Sequence, residues 1–165
     1  MWAPTMLFLL VGCAGGGEAR ALPTDSLQIE AHAASPESVD GWQPVAPNDM
    51  PAGMADTLWI SPKAVMLSPE SAQRLTLRVE NGRPVLTLVP AARTQDALRA
   101  LLRDTPGTHL VVRLNGTVRY ATQVLSIEGT ARSLKLANLS PNETATLVRR
   151  WQHAHQAPSG SDPHP

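Results

Sequence analysis

The 165 residues, 42% hydrophobic and 17% charged, suit one domain of ordinary size with a single core. One cysteine in the whole chain excludes an intramolecular disulfide, so packing or a partner must hold any folded part. The net charge of zero is a cancellation: residues 14–56 carry seven acids against Arg20, whereas residues 57–155 carry thirteen basic residues against six acids.

The apolar run Met6 to Val11 (MLFLLV) is far shorter than the ~20 residues of a spanning helix and matches the h-region of an export signal. MWAPT ahead of it has neither Lys nor Arg, a departure from the usual n-region. Leu10-Val11-Gly12-Cys13 resembles the lipobox of bacterial lipoproteins. The resemblance implies a signal peptide over 1–12, cleavage before Cys13, and a thiol carrying the acyl chains of a stable membrane anchor. Ala14 then favours the outer membrane over the inner, with the protein facing the periplasm. In the other reading the segment is a buried element and Cys13 a small core hydrophobe.

Residues 13–56 have prolines at 23, 36, 44, 47 and 51, scattered acids and no sustained apolar period, and are expected to form a disordered tether. A coil of that length spans roughly 35–40 Å. Trp42 either packs on the domain or stays in solvent. Met50 and Met54 lie in a proline-rich stretch with no His or Cys beside them, so no metal site is read there.

The domain is expected over 57–155. Thr57 to Ile60 forms a short strand ended by Ser61-Pro62, and Ser68-Pro69 starts a helical turn. QRLTLRVE (73–80) alternates, with Leu75, Leu77 and Val79 on one face. Asn81-Gly82 makes a two-residue hairpin that pairs Glu80 with Arg83 and Leu77 with Leu86, so VLTLV (85–89) is the partner strand. Residues 94–104 form a helix with Thr94 as cap and Leu98, Leu101 and Leu102 as its apolar stripe. HLVVRL (109–114) is a strand, and Asn115-Gly116 is expected to belong to a three-residue turn that pairs Val112 with Val118 and Leu110 with Tyr120. TARSLKLAN (130–138) is another strand. Ser140, Pro141 and Glu143 form a capping box that starts a helix with Ala145, Leu147, Val148 and Trp151 on its core stripe. Residues 156–165 read as a disordered tail.

The expected fold is α+β: a mixed, mostly antiparallel sheet with two main helices on one face. Leu58-Trp59-Ile60-Ser61-Pro62, Asn81-Gly82-Arg83-Pro84, the helix at 94–104, Gly107 followed by HLVVRLNGTV, Ile127-Glu128-Gly129 and LSPNETATLV together resemble the head part of the first periplasmic domain of SecD, the protein-export subunit. The resemblance covers about 57–154. It departs from the family at Ala121-Thr122-Gln123 and at Ala137-Asn138, and the transmembrane helices of SecD have no counterpart in it. It therefore implies a fold and a periplasmic setting, without the activity of a translocation motor.

No nucleophile elbow, HExxH, phosphate loop or metal-ligand spacing occurs, so neither an enzyme nor a cofactor is expected, and nucleic acid is not among the expected partners. His153 and His155 are two apart on a helix and point in different directions; His109 falls on the polar face of its strand. If the helices cover one face of the sheet, the other carries Arg74, Arg78, Arg113 and Arg119. That face is either a solvated surface or a site for anions and acidic envelope partners. The functional expectation is a non-catalytic, lipid-anchored binding or accessory module, linked to exported proteins by the resemblance alone. The alternative is an envelope lipoprotein that assembles with copies of itself or with a complex through a strand edge.

Overall fold

The computed structural model describes residues 27–46, 49–50, 57–105 and 107–156. Cys13, the expected signal peptide and the tail from 157 lie outside the described residues. The fold is α+β, with eight strands in two antiparallel sheets. Its elements are β1 (Ile29–Ser35), β2 (Gln43–Val45), β3 (Leu58–Leu67), β4 (Arg74–Glu80), β5 (Arg83–Val89), α1 (Ala92–Asp104), β6 (His109–Leu114), β7 (Thr117–Gln123), the short α2 (Ile127–Arg132), β8 (Leu134–Leu136) and α3 (Pro141–His155). The strands run in the orders β2-β3-β1-β6-β7 and β4-β5-β8, two sheets where one was expected. Among the described residues no helix is long and apolar enough to cross a membrane.

The expected tether is corrected by β1 and β2. Strand β1 lies in the middle of the larger sheet, paired with β3 on one side and β6 on the other. Ile29, Ala31 and Ala33 point into the main core, while Ala34 joins a smaller cluster on the opposite face with Val45, Leu58, Ile60, Val111 and Val118. Ile29 to Ala33 alternate apolar with polar, yet every residue of the strand but Glu30 is buried, because both of its faces are covered. Trp42 packs against the main core, and Met50 against the smaller cluster.

Strand β3 does not stop at Ser61-Pro62. Its register against β1 shifts between Ile60, opposite Ala34, and Ala64, opposite His32, so Ser61, Pro62 and Lys63 form a bulge. A bulge suits proline, which has no N–H to give to a ladder. His32 sits buried beneath it, its Nδ1 3.0 Å from the Ser61 carbonyl oxygen.

The β4–β5 hairpin keeps the expected register, Glu80 opposite Arg83 and Leu77 opposite Leu86, with Asn81 and Gly82 at φ of +52° and +75°. The second hairpin differs. Leu114 pairs with Thr117 across a two-residue turn, and the extra residue is Arg119, because Arg113 faces Val118 while Val112 faces Tyr120. Helix α1 begins two residues earlier than expected, with Ala91 rather than Thr94 as its cap, and residues 127–132 are helical where a strand was expected from 130. The capping box of α3 forms: Ser140 Oγ accepts from the Glu143 N–H at 3.2 Å, and Glu143 Oε2 accepts from the Ser140 N–H at 2.7 Å.

One main core joins the two sheets. Leu86, Leu88, Leu134 and Leu136 of the small sheet meet Leu110, Val112 and Leu114 of the large one, closed by Leu98, Leu101 and Leu102 of α1 and Leu147 of α3. The far end of α3 is held by Trp151, whose indole N–H donates to the Ala72 carbonyl at 3.1 Å, and by the Arg150–Glu70 ion pair.

Candidate functional site

Side chains alternate across a strand, so the leucines that send β4 and β5 into the core leave Arg74, Thr76 and Arg78 on the other face of the small sheet. Strand β5 adds Thr87, opposite Thr76. On β8, Lys135 sits opposite Thr87, between the buried Leu134 and Leu136. Arg132, the last residue of α2, lies beside them. These residues line an open groove of about 580 Å³ that also touches Gln73, Gln95, Val89 and Ser133.

Four cations line the groove and no carboxylate does. Arg74, Arg78 and Arg132 make no ion pair among the described residues, and Lys135 reaches Glu80 at 3.6 Å across a half-exposed surface. Facing guanidinium groups whose charge is not neutralised locally raise the positive potential of a concave surface. The hydroxyls of Thr76, Thr87 and Ser133 offer neutral donors on the same walls. The groove is chemically suited to hold a group with several anionic oxygens.

The four arginines expected on one basic face are therefore separated. Arg74 and Arg78 stay together. Arg113 belongs to the other sheet and lines a shallow depression with Pro44, Asp49 and Met50, its buried Nε without a hydrogen-bond partner among the described residues. Arg119 has a structural position. As the bulged residue of β7 it offers its carbonyl to the Ala137 N–H at 3.1 Å, which ties the large sheet to the end of β8. Its guanidinium donates to the Asn138 carbonyl at 2.8 Å and pairs with Glu143 Oε1 at 2.5 Å, with both side chains only 20% exposed. That leaves Arg119 engaged with the start of α3 rather than available to an anion.

Burial by itself would raise the carboxyl pKa of Glu143. Hydrogen bonds from Ser140 and the charge of Arg119 outweigh it and hold the group below its ordinary value of 4.5. Glu70 is lowered in the same sense, its burial outweighed by hydrogen bonds from Ser68 and Arg150. A depressed folded-state pKa adds stability that is complete above the ordinary carboxylate pKa and is lost as pH falls through the folded value. Arg119→Ala is expected to cost about 1.5–3 kcal/mol at neutral pH, the range for a hydrogen bond to a charged group. Glu143→Gln should flatten the loss of stability below about pH 4.5. Urea melts between pH 3 and 7 check both, and parallel acid limbs in wild type and Glu143→Gln would refute the assignment.

The sequence reading missed Arg132 and Lys135. For Lys135 the signal was present in Leu134-Lys135-Leu136, whose alternation puts the lysine opposite the core. TARSLKLAN reads as a strand through Arg132, whose position at the end of a helix depends on the Ser126 cap, which accepts from the Gly129 N–H at 3.3 Å. His109 is part-buried, which lowers its pKa, and its Nδ1 lies 2.9 Å from the Thr108 hydroxyl. Among the described residues no group of three or more His, Cys, Asp or Glu side chains is placed to hold a metal ion.

Comparison with family models and with curated proteins finds no match to this chain.

Proposed function

We propose that this chain is a non-catalytic, lipid-anchored protein of the bacterial cell envelope whose α+β domain binds anionic groups in the groove between β4, β5, β8 and the end of α2. The observation that carries this reading is the groove itself, in which Arg74, Arg78, Arg132 and Lys135 converge with no carboxylate, histidine or cysteine in the lining. Cations and hydroxyls bind oxyanions. The lipobox-like Leu10-Val11-Gly12-Cys13 supports the anchor. The resemblance to the SecD head supports a periplasmic setting and an accessory role toward exported proteins, and Ala14 after the cysteine supports the outer membrane as the site of attachment.

Binding is tested with the full chain carrying Cys13→Ala, so that acylation contributes nothing, against vesicles of phosphatidylcholine with and without anionic phosphatidylglycerol. Capture is expected only by the anionic vesicles, to weaken as salt rises, and to fall about tenfold or more in Arg78→Glu/Arg132→Glu. Both side chains are exposed, so circular dichroism should be unchanged. Equal capture by the double variant would sink the groove as the site. In cells, labelled palmitate should mark the wild type and not Cys13→Ala, and equal labelling would end the anchor reading.

A further inference from the structure

Strand β4 has a strand neighbour on one side only among the described residues. Glu80 and Arg83 flank the two-residue turn and form its closing hydrogen-bonded pair, so Arg78 with Val85 and Thr76 with Thr87 are the next pairs bonded across the hairpin. Pro84, which has no N–H, falls opposite Val79 in a pair that needs none. The alternation points the backbone N–H and C=O groups of Leu75, Leu77 and Val79 away from β5, toward the open edge. The side chains there are unusually apolar for an edge: Leu77 is 49% exposed and Val79 73%. Leu77 also borders an apolar groove of about 570 Å³ with Pro84 and with Ala145 and Val148 of α3. A long edge with exposed apolar side chains is a template for another strand.

We propose that this edge is the interface of a symmetric dimer, in which β4 pairs antiparallel with β4 of a second copy about a two-fold axis at Leu77. The charge pattern selects both the occupant and the register. With Leu77 facing its own copy, Leu75 faces Val79, Thr76 faces Arg78, and Arg74 faces Glu80 at both ends, so opposite charges meet twice. The outward backbone groups belong to Leu75, Leu77 and Val79, so the nearest other registers that bond are shifted by two residues. One puts Arg74 opposite Arg78 twice, and the other puts Arg78 opposite Arg78. Like charges directly opposed disfavour both. RLTLRVE is thus complementary to itself in one bonded register. The product is a continuous sheet of six strands in the order β8-β5-β4-β4-β5-β8, with Leu75, Leu77 and Val79 of both copies in one apolar row. The two basic grooves would lie side by side on its other face. The dimer does not depend on what those grooves bind.

Sedimentation equilibrium of the full chain carrying Cys13→Ala tests the interface. A monomer–dimer equilibrium is expected. Leu77→Pro removes an N–H that faces only the open edge, so it should leave the hairpin paired and render the protein monomeric at every concentration. Arg74→Glu should weaken the dimer at least tenfold, and Arg74→Glu/Glu80→Arg should restore it, an outcome that loss of folding cannot mimic. A chain that stays monomeric at 100 µM, including one whose edge captures only a foreign extended peptide, overturns the proposal. So does a dimer that ignores both Leu77→Pro and the charge exchange.

Discussion

A chain that begins at residue 57 is expected not to fold, whereas one that begins at residue 27 should unfold cooperatively like the full chain. The reason is the position of β1. It supplies ladder partners to both β3 and β6, so its removal leaves facing edges of the two strands unpaired across the middle of the sheet. Ile29, Ala31, Ala33 and Ala34, each 1% exposed or less, leave with it, and the main core and the smaller cluster both lose part of their lining. A net hydrogen bond is worth about 0.5–1.5 kcal/mol, and a buried aliphatic side chain such as Ile29 about 1.5–3 kcal/mol. Ile29 and the hydrogen bonds of two ladders lost together are comparable to the ~5–15 kcal/mol by which domains of this size are stable. Thermal unfolding followed by circular dichroism, with amide dispersion in the NMR spectrum, decides the matter. A sharp transition and dispersed amides from residues 57–156 alone would show that β1 is dispensable.

Gly107→Val should be the most damaging single substitution in the turn that leads from α1 into β6. A Cβ at Gly107 would stand 2.9 Å from the Ala34 carbonyl oxygen, 3.1 Å from the Ala34 nitrogen and 3.0 Å from the Ala33 Cβ. Two of those atoms are backbone of the central strand, which β3 and β6 hold from both sides, so they cannot yield as a flexible side chain would. Overpacking of this kind costs about 1–3 kcal/mol or more. The smaller entropy of the unfolded chain returns about 0.4–1 kcal/mol, too little to offset it. Gly107→Ala should show the same sign at smaller size. Urea midpoints that match wild type would mean that the turn and β1 are not in contact. The glycine is needed because a strand some seventy residues earlier passes against it, and no property of the turn itself reveals that.

Truncation before β1 and a side chain at Gly107 both strike a strand that local patterns do not disclose. Alternation identifies a strand when one face is wet, and Leu75, Leu77 and Val79 made β4 readable in that way. Strand β1 is covered on both faces, and after Ile29 its Ala31, Ala33, Ala34 and Ser35 lack the β-branched and aromatic character that marks most strands. These small side chains belong to a strand in close company, with Ala33 and Ala34 lying against Gly107. The proline-rich flanks then made the stretch resemble a tether. The bulge at Arg119 was hidden for a related reason. Asn115-Gly116 favours a two-residue turn, but the shift that follows lets Tyr120 pack against the main core while Val118 packs in the smaller cluster.

The groove was legible only in part. Arg74 and Arg78 share a face because a strand repeats every two residues, a local rule that any reader of RLTLRVE can apply. That Arg132 and Lys135 join them, and that Arg113 and Arg119 do not, depends on which strands pair. Strand β8 lies beside β5, forty-six residues apart at the Leu88–Leu134 pair, and the division of eight strands into two sheets sends Arg113 elsewhere.

By itself the sequence determined what neighbouring residues decide: the Asn81-Gly82 hairpin with its register, the capping box that starts α3, the apolar stripe of α1 and the α+β class. It also supplied Leu10-Val11-Gly12-Cys13, the residues on which the proposed anchor rests. Only the tertiary structure decided that IEAHAAS is the central strand, that Arg119 is committed to Glu143, and that four cations from two strands and a helix end line one groove. Caps and turns are satisfied by backbone groups within a few residues, so their signals are local. A strand buried on both faces, or a groove between elements, exists only when distant segments have already met, and its residues are chosen to fit those neighbours.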